Sequence, residues 1–486
     1  MSTERLSPLD ASFLQIETDA AHMHVGWTLV FDGDPPSVEA LRRHVDSRLD
    51  AVPGFRRCVV ADPLGVLDPV WADDPRFDVA NHVHELAISA PGTPAQLRAL
   101  AGDLLSRRLD RGRPLWNLYL IRGLERGRFA IVGQAHHTLV DGVAAMEVGV
   151  LLLDPDPGGE AGPPPDWRPE PPPGVAALAQ TTAVERARRA LVALTAITRA
   201  ARAPGRLAAA AGQARDAAGA LLSTAYPPAP NTSLNVQLGP GRSVAFADLS
   251  LEDARSIGAP YGATVNDVVV AIAGMALRGH LRRSGDRCEH LRVMVPVNVR
   301  ARGTARELGN RISFMFLELP LDAVDPAEML AAVRDQTRAR KDAHTAHDLQ
   351  VALDAAAWLP APARRMIARM SARPESFHTV VSNIPGPQQP LFLLGRPLLK
   401  AYPAVPLADG HALSVGVLSY DGRLHAGIYA DRAAVPDVDD LPRAMAAAFD
   451  SLRLSARRRR PEPDRPPTPW RRRARERRAE LAGRST

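Results

Sequence analysis

A run of prolines and glycines divides this chain of 486 residues into two parts. Residues 154–174 read DPDPGGEAGPPPDWRPEPPPG. Proline fixes φ near about −65° and lacks a backbone N–H donor, so this segment cannot form a regular helix or an internal strand. We therefore expect an N-terminal domain over residues 1–154, a Pro-rich linker and helical crossover over 155–230, and a C-terminal domain over 231–455.

Strand-like and helix-like patterns alternate in the N-terminal part. Residues 25–31 and 129–137 are rich in β-branched and aromatic residues, which is typical of strands, whereas residues 38–49 and 93–109 show helical periodicity. This alternation predicts an α/β domain built on a mixed sheet.

The C-terminal part repeats the alternation. Its strand-like segments are 243–249, 291–299, 311–320, 379–386, 412–422 and 423–431. Residues 264–283 and 326–344 are helix-like. The last two strand-like segments meet at Asp421-Gly422, a dipeptide that strongly indicates a β-hairpin. The whole chain is therefore predicted to be α/β (α+β) with mixed sheets.

The positive charge is concentrated at the C-terminal end. Between residues 457 and 486 twelve arginines face four acidic residues, a net charge of +8, so the rest of the chain carries −2 against a total of +6. We expect the Arg- and Pro-rich tail, 456–486, to be disordered because it has little apolar surface to bury. A slightly acidic body and a tail with one aromatic residue argue against nucleic-acid binding.

Composition also excludes several other classes of protein. Cys58 and Cys288 are the only cysteines, which excludes a disulfide framework and a thiolate zinc cluster. The longest strongly apolar run, residues 268–277, is too short to span a bilayer. The first residues lack the apolar core of a secretory signal. We expect a cytoplasmic protein.

Residues 136–142, HHTLVDG, carry the strongest chemical signal. A histidine at a strand end can present one imidazole nitrogen to a cavity, and the neutral ring can accept a proton from an alcohol. Asp141 lies beyond the turn and is better placed to pin the loop through an arginine, with Arg56 or Arg57 as candidate partners. Gly142 permits tight backbone geometry or the close approach of a ligand.

Other reaction types lack their signatures. The chain contains no G-x-S-x-G, no G-x-G-x-x-G and no GKS or GKT, so a hydrolase serine, a dinucleotide fold and a Walker loop are not indicated. The pairs His22/His24 and His82/His84 have strand spacing but no carboxylate pattern beside them. No metal site and no bound cofactor are expected.

HHTLVDG resembles the HHxxxDG signature of acyltransferases similar to chloramphenicol acetyltransferase, a superfamily that includes condensation domains of peptide synthetases. Further motifs make the chain similar to the bacterial wax ester synthase/diacylglycerol acyltransferase family. These motifs are LSPLDASFL at 6–14, HMHVG at 22–26, PLW at 114–116, ND at 266–267 and SNIPGP at 382–387. The resemblance implies two chloramphenicol acetyltransferase-like domains with an active-site tunnel between them.

The resemblance also implies roles for the motif residues. His137 would be the general base, whereas His136 and Asp141 would be mainly structural and Gly142 would complete the turn. Asn266 would help to shape or polarise the site, with a helix N-cap as an equally weighted alternative.

Two further motifs have less direct roles. Ser382 and Asn383 would hydrogen-bond substrate, although stabilisation of the Pro-Gly-Pro turn explains them equally well. Structural packing is expected for four more motif residues, Pro114, Leu115, Trp116 and Asp267.

The implied function is acyl-CoA-dependent O-acyl transfer of a long-chain acyl group to diacylglycerol, to a long-chain alcohol, or to both. Acyl-CoA is a co-substrate, and a thioester is activated enough to need neither metal nor covalent intermediate. One alternative is a related acyltransferase with another hydroxyl acceptor, and a second is a non-catalytic lipid-surface protein of the same fold.

Apolar substrates imply peripheral contact with the inner face of the plasma membrane or with lipid droplets. Residues 175–225 are the candidate docking segment, because seven arginines face two acidic residues there and the rest is largely aliphatic. The alternative is that these helices pack on the body of the protein.

Overall fold

Two six-stranded sheets form the framework of the computed structural model, and helices cover them. The strands are β1 (Glu4–Arg5), β2 (His24–Asp32), β3 (Arg57–Val60), β4 (Val70–Asp73), β5 (Val83–Ala87), β6 (Trp116–Leu124), β7 (Arg128–His136), β8 (Arg242–Ser250), β9 (His290–Asn298), β10 (Ile312–Pro320), β11 (Thr379–Pro385), β12 (Phe392–Leu393), β13 (Arg396–Ala404), β14 (Leu413–Tyr420) and β15 (Arg423–Asp431). The helices are α1 (Pro8–Ile16), α2 (Val38–Asp46), α3 (Pro94–Leu105), α4 (Leu251–Gly258), α5 (Val265–Arg283), α6 (Pro326–Asp342) and α7 (Asp440–Arg459).

The structure describes most, but not all, of the chain. The described residues are 4–61, 69–139, 149, 151–159, 162, 166–172, 174, scattered positions between 176 and 195, 229–298, 312–323, 325–342, 366 and 373–459. Most of the predicted crossover and nearly all of the predicted tail lie outside them, so the expected extent of both stays a prediction, except for the start of the tail.

The N-terminal sheet has the strand order β12-β13-β2-β7-β6-β5. Strands β12 and β13 differ from the expected division of the chain, because they follow the C-terminal strand β11 in sequence and yet complete the N-terminal sheet. In register, Tyr402 of β13 faces Thr28 of β2, and Ala404 faces Gly26. One segment of the C-terminal half is thus built into the N-terminal domain.

The C-terminal sheet has the order β10-β9-β11-β14-β15-β8 and is covered by α4 to α7. Helix α5 lies in the middle of this core, and its residues from Asp267 to Leu277 are all buried. The hairpin predicted at Asp421-Gly422 is confirmed: both residues have positive φ, 43° and 72°, and they join the antiparallel strands β14 and β15. The mixed α/β fold class is confirmed as well.

Helix α7 continues past the point where the tail was expected to begin. It runs to Arg459, and Ala456 packs into the C-terminal core at 4% exposure. The last helical turn therefore belongs to the folded domain and not to the tail.

The two large sheets meet where β13 crosses β14 and β15. A Cβ atom on Gly427 would lie 1.9 Å from the carbonyl oxygen of Pro403, so only glycine permits this approach. Asp248 of β8 accepts hydrogen bonds from Lys400 Nζ at 2.6 Å and Tyr402 Oη at 2.9 Å, which ties β13 to the C-terminal sheet. His425 Nδ1 lies 2.8 Å from the same carboxylate.

The Asp248 carboxylate is ionised. Burial would raise its pKa, but the hydrogen bonds from His425 and Lys400 outweigh that effect and hold the pKa well below its usual value. The contact between the sheets is therefore charged as well as apolar.

No single helix among the described residues is long and apolar enough to cross a membrane. Helices α4 and α5, taken with the turn that follows α4, pass such a test together by length and composition, although they are bent by 97°.

Candidate active site

The HHTLVDG motif begins at the last residue of β7. This strand is central, with β2 on one side and β6 on the other, and His136 pairs directly with His24 of β2. The described part of the motif ends at Leu139, so Asp141 and Gly142 lie outside the described residues.

The expected partners of Asp141 have other neighbours. Arg56 is buried and pairs with Asp50, and Arg57 Nε lies 3.4 Å from Asp73 Oδ1. The ion pair proposed for Asp141 stays a prediction.

His137 is half-buried and is held by the N-terminal helix and the strand beside it. Its imidazole stacks on Phe13 of α1, with ring centroids 4.0 Å apart and planes 18° from parallel. Its backbone N–H donates to the Met23 carbonyl at 2.8 Å, and the Thr138 hydroxyl donates to the Asp10 carbonyl at 3.0 Å. The LSPLDASFL segment therefore forms one wall of the histidine turn.

His136 has different surroundings. It is 1% exposed, and its Nδ1 accepts the backbone N–H of Thr138 at 3.1 Å. Burial, followed by the charges of His137, Arg111 and Arg108, lowers the pKa of His136 to about 3. A group with this pKa stays neutral near pH 7 and is a poor proton acceptor, which disfavours His136 as the base.

A buried carboxylate that sequence reasoning missed lies beside His136. The side chain of Glu17 is 2% exposed, and its Oε1 and Oε2 atoms lie 3.9 Å from the Nε2 atoms of His24 and His136, respectively. Arg108 and Arg111, which are partly exposed, pair with the same carboxylate. In the sequence, Glu17 is marked only as a single acidic residue at the end of the apolar segment SFLQIE. Its partners, Arg108 and Arg111, lie more than 90 residues later in the chain.

The ND pair lies at the start of α5. The N-cap residue is Thr264, whose hydroxyl accepts the Asp267 N–H, while the Asp267 carboxylate accepts the Thr264 N–H at 2.7 Å. This is a capping box. The alternative in which Asn266 caps the helix is therefore wrong; Asn266 is half-buried in the first turn, next to the residue that closes the box.

Ser382 and Asn383 lie on β11 and point in opposite directions. They pair with Gly416 and Val417 of the parallel strand β14, and successive side chains of a strand face opposite sides of the sheet. Ser382 lies on the same face of the sheet as Gly416, and this face packs against β13. Asn383 lies on the same face as Val417, and this opposite face is covered by helices. The two side chains cannot bind one group together.

Asn383 has one feature that suits a binding role. Its Oδ1 is buried and has no hydrogen-bond partner among the residues that the structure describes. Buried acceptors are nearly always satisfied in native proteins, so this oxygen is available to a donor on another group.

The PLW segment packs in the core. Trp116 is 1% exposed, donates from Nε1 to the Phe55 carbonyl at 2.7 Å and stacks on His82 with centroids 4.6 Å apart. Leu115 and Pro114 are buried beside it. Within the described ranges, histidine, cysteine and acidic side chains form no group of three or more suited to a metal ion.

Comparisons with known proteins agree with this geometry. The wax ester synthase/diacylglycerol acyltransferase catalytic domain matches residues 6–269, and the C-terminal domain of the same family matches residues 308–453. A Mycobacterium tuberculosis protein named as a probable diacylglycerol O-acyltransferase is 31% identical over 464 residues, covering 93% of this chain and 96% of that one.

Two solved structures show the same architecture. A wax ester synthase/diacylglycerol acyltransferase from Marinobacter aquaeolei aligns with a TM-score of 0.66 and 25% identity, over 93% of this chain and 99% of that one. The first condensation domain of the calcium-dependent antibiotic synthetase aligns with a TM-score of 0.59 and 16% identity, over 93% and 96% of the two chains. At 16% identity, this second alignment shows a shared fold but not a shared function.

Proposed function

The chain belongs to the wax ester synthase/diacylglycerol acyltransferase family and is an acyltransferase, and from this we propose that it moves a long-chain acyl group from acyl-CoA to diacylglycerol or a long-chain alcohol. The observation that carries the proposal is the placement of His137. It follows a central strand, is stacked on Phe13, and is the histidine of the pair that is not fully buried.

In the proposed reaction the His137 imidazole takes the proton of the acceptor hydroxyl. The oxygen attacks the thioester carbonyl carbon, and the tetrahedral intermediate collapses with cleavage of the C–S bond. The imidazolium then returns the proton to the leaving thiolate, which gives the ester and free CoA. We place the reaction in a tunnel between the two sheets. Asn266 and Ser382 contribute from the C-terminal side, whereas Asn383 acts from the opposite face of β11 through the Oδ1 that lacks a partner among the described residues. Asp141 and Gly142 shape the turn.

The acceptor is tested with purified protein, palmitoyl-CoA and a panel of hydroxyl compounds. We expect triacylglycerol from dioleoylglycerol, or wax ester from hexadecanol, with release of one CoA per ester formed. Transfer only to a polar or glycolipid hydroxyl would favour the related acyltransferase with another acceptor. No transfer to any acceptor by folded protein would favour the non-catalytic lipid-surface protein.

We further propose that the protein docks on the cytoplasmic face of a membrane or on a lipid droplet through residues 175–225. Val184 and Leu191 are each 62% exposed, and Arg188 is exposed nearby, so apolar and cationic groups occur together. Thr182 is 3% exposed, so part of this segment is covered by other residues of the chain.

Liposome flotation tests this docking. We expect binding to anionic vesicles that weakens at high salt and falls most when Arg186, Arg188 and Arg189 are changed to Glu, because each basic residue near such a surface contributes about 1 kcal/mol. A truncation after Arg459 removes the tail and leaves the buried turn of α7 intact.

The matched control changes three other exposed arginines, Arg168, Arg423 and Arg443, to Glu. Equal flotation of all variants at high salt, or no flotation of the wild type, would show that these segments do not dock by electrostatic attraction.

A further inference from the structure

Four buried polar side chains line one face of the N-terminal sheet, and we call them the polar pocket: His22, His24, Gln134 and His136. Their exposures are 8%, 3%, 1% and 1%. His24 pairs directly with His136 across β2 and β7, and the ring centroids of His22 and His24 are 5.3 Å apart. Gln134 precedes His136 by two residues on β7 and therefore points to the same face.

The hydrogen bonds that exist in the polar pocket fix where the protons of two rings lie. Burial is the main cause that lowers the pKa of His24 and of His136, so both rings are neutral. His136 Nδ1 accepts the Thr138 N–H, so its proton must be on Nε2. His24 Nε2 accepts the Leu109 N–H at 3.4 Å, so its proton must be on Nδ1.

In His22 the proton lies on the opposite ring nitrogen from that of His24. Its Nε2 lies 2.8 Å from the Asp19 carbonyl oxygen, and a carbonyl can only accept, so Nε2 carries the proton. Burial lowers the pKa of this ring too, which leaves Nδ1 as an acceptor. Gln134 adds an amide with one acceptor oxygen and an NH₂ donor.

These groups still need partners. His22 Nδ1, His24 Nδ1, His136 Nε2 and both polar atoms of the Gln134 side chain have none within the part of the chain that the structure describes. His136 Nε2 does face a Glu17 oxygen, but at 3.9 Å, which is too long for a hydrogen bond and suits an intervening group.

We propose that the polar pocket is a binding site for ordered water. One water molecule can accept from His24 Nδ1–H and donate to His22 Nδ1, and a second can accept from His136 Nε2–H and donate to Glu17. The pocket thus presents both donors and acceptors, and a water molecule can hydrogen-bond to both kinds of group at the same time, as buried waters do in other proteins. Nonpolar ligands would leave every one of these groups without a partner.

The water site has a consequence for the reaction, which rests on the proposed function. His136 and His137 are consecutive, and their rings lie in different surroundings: His136 in the polar pocket and His137 against Phe13. Water bound to His136 is therefore held on the side of β7 away from the imidazole that acts on the acceptor.

The first test replaces Gln134 with Met, which has similar length but no hydrogen-bonding amide, and uses the exposed Gln237→Met as its control. We expect Gln134→Met to lower the midpoint of thermal unfolding by about 2–4 °C, and Gln237→Met to leave it unchanged. If the pocket is dry, removal of an unsatisfied amide stabilises the protein. An unchanged or raised midpoint for Gln134→Met therefore overturns the proposal.

The second test uses the wild-type protein and so does not depend on whether the variant folds. A high-resolution crystal structure should show water-sized density about 2.6–3.2 Å from His22 Nδ1 and His24 Nδ1. Nitrogen-15 NMR should report the Nε2–H form of His136. Absence of density, density for a larger group, or the Nδ1–H form would each refute the water site. Both tests read structure and stability, so their failure is distinct from failure of acyl transfer.

Discussion

His137→Ala is expected to lower turnover about 10²–10⁴-fold, the usual contribution of a general base. The fold should survive, because the ring is only half-buried and its backbone bond to Met23 does not depend on the side chain. Turnover is measured as CoA release from palmitoyl-CoA with the best acceptor of the panel, and folding by circular dichroism and thermal unfolding.

His136→Ala is the matched control for this experiment. Its ring is 1% exposed and accepts the Thr138 N–H, so its removal should lower stability and the yield of folded protein in addition to any loss of activity. Near-normal turnover by folded His137→Ala would refute the proposed mechanism. A loss in His137→Ala that only parallels a loss of folded protein would assign His137 a structural role.

The elements of the fold could be predicted from sequence where the signal is local. The hairpin at Asp421-Gly422 is an example, because its two residues adopt the positive φ angles that the dipeptide favours. The predicted strand 423–431 coincides with β15, and the turn at Asp421-Gly422 fixes where this strand begins.

The strand or side chain with which a given segment pairs could not be predicted, because pairing depends on contacts between distant parts of the chain. No pattern within the segment that forms β13 indicates that it pairs with β2, more than 350 residues earlier in the chain. Glu17 was missed as a site residue for the same reason, since its burial depends on Arg108 and Arg111.

The candidate site was predictable in part. The HH motif indicates where in the chain the candidate site lies. Sequence does not tell which of the two imidazoles is accessible, because that depends on the burial of His136 and the stacking of His137 on Phe13. At the start of α5, Thr264 and Asn266 are both good N-cap residues by type. Sequence alone could not choose between them, and the reciprocal bonds of Thr264 with Asp267 decided the matter.

Arg242→Met is expected to destabilise the protein by about 3–5 kcal/mol, the typical cost of breaking a buried ion pair by removing one partner. The side chains of Arg242 and Asp431 are each 1% exposed and lie 3.3 Å apart. Arg242 also donates to the carbonyls of Gly239 and Ala20, and Ala20 belongs to the N-terminal domain. The variant leaves the Asp431 carboxylate buried without its cation and removes a bond between the domains.

The free energy of unfolding is measured by denaturant titration, with Arg443→Met as the control. Arg443 is 75% exposed and pairs with Asp440 at the surface, where such pairs contribute about 0–1 kcal/mol. We expect acyl transfer by Arg242→Met to fail at a lower temperature than in the wild type, because the Ala20 contact supports the segment that leads from Glu17 to His22. If Arg242→Met costs no more than Arg443→Met, neither the buried ion pair nor the Ala20 contact stabilises the protein measurably.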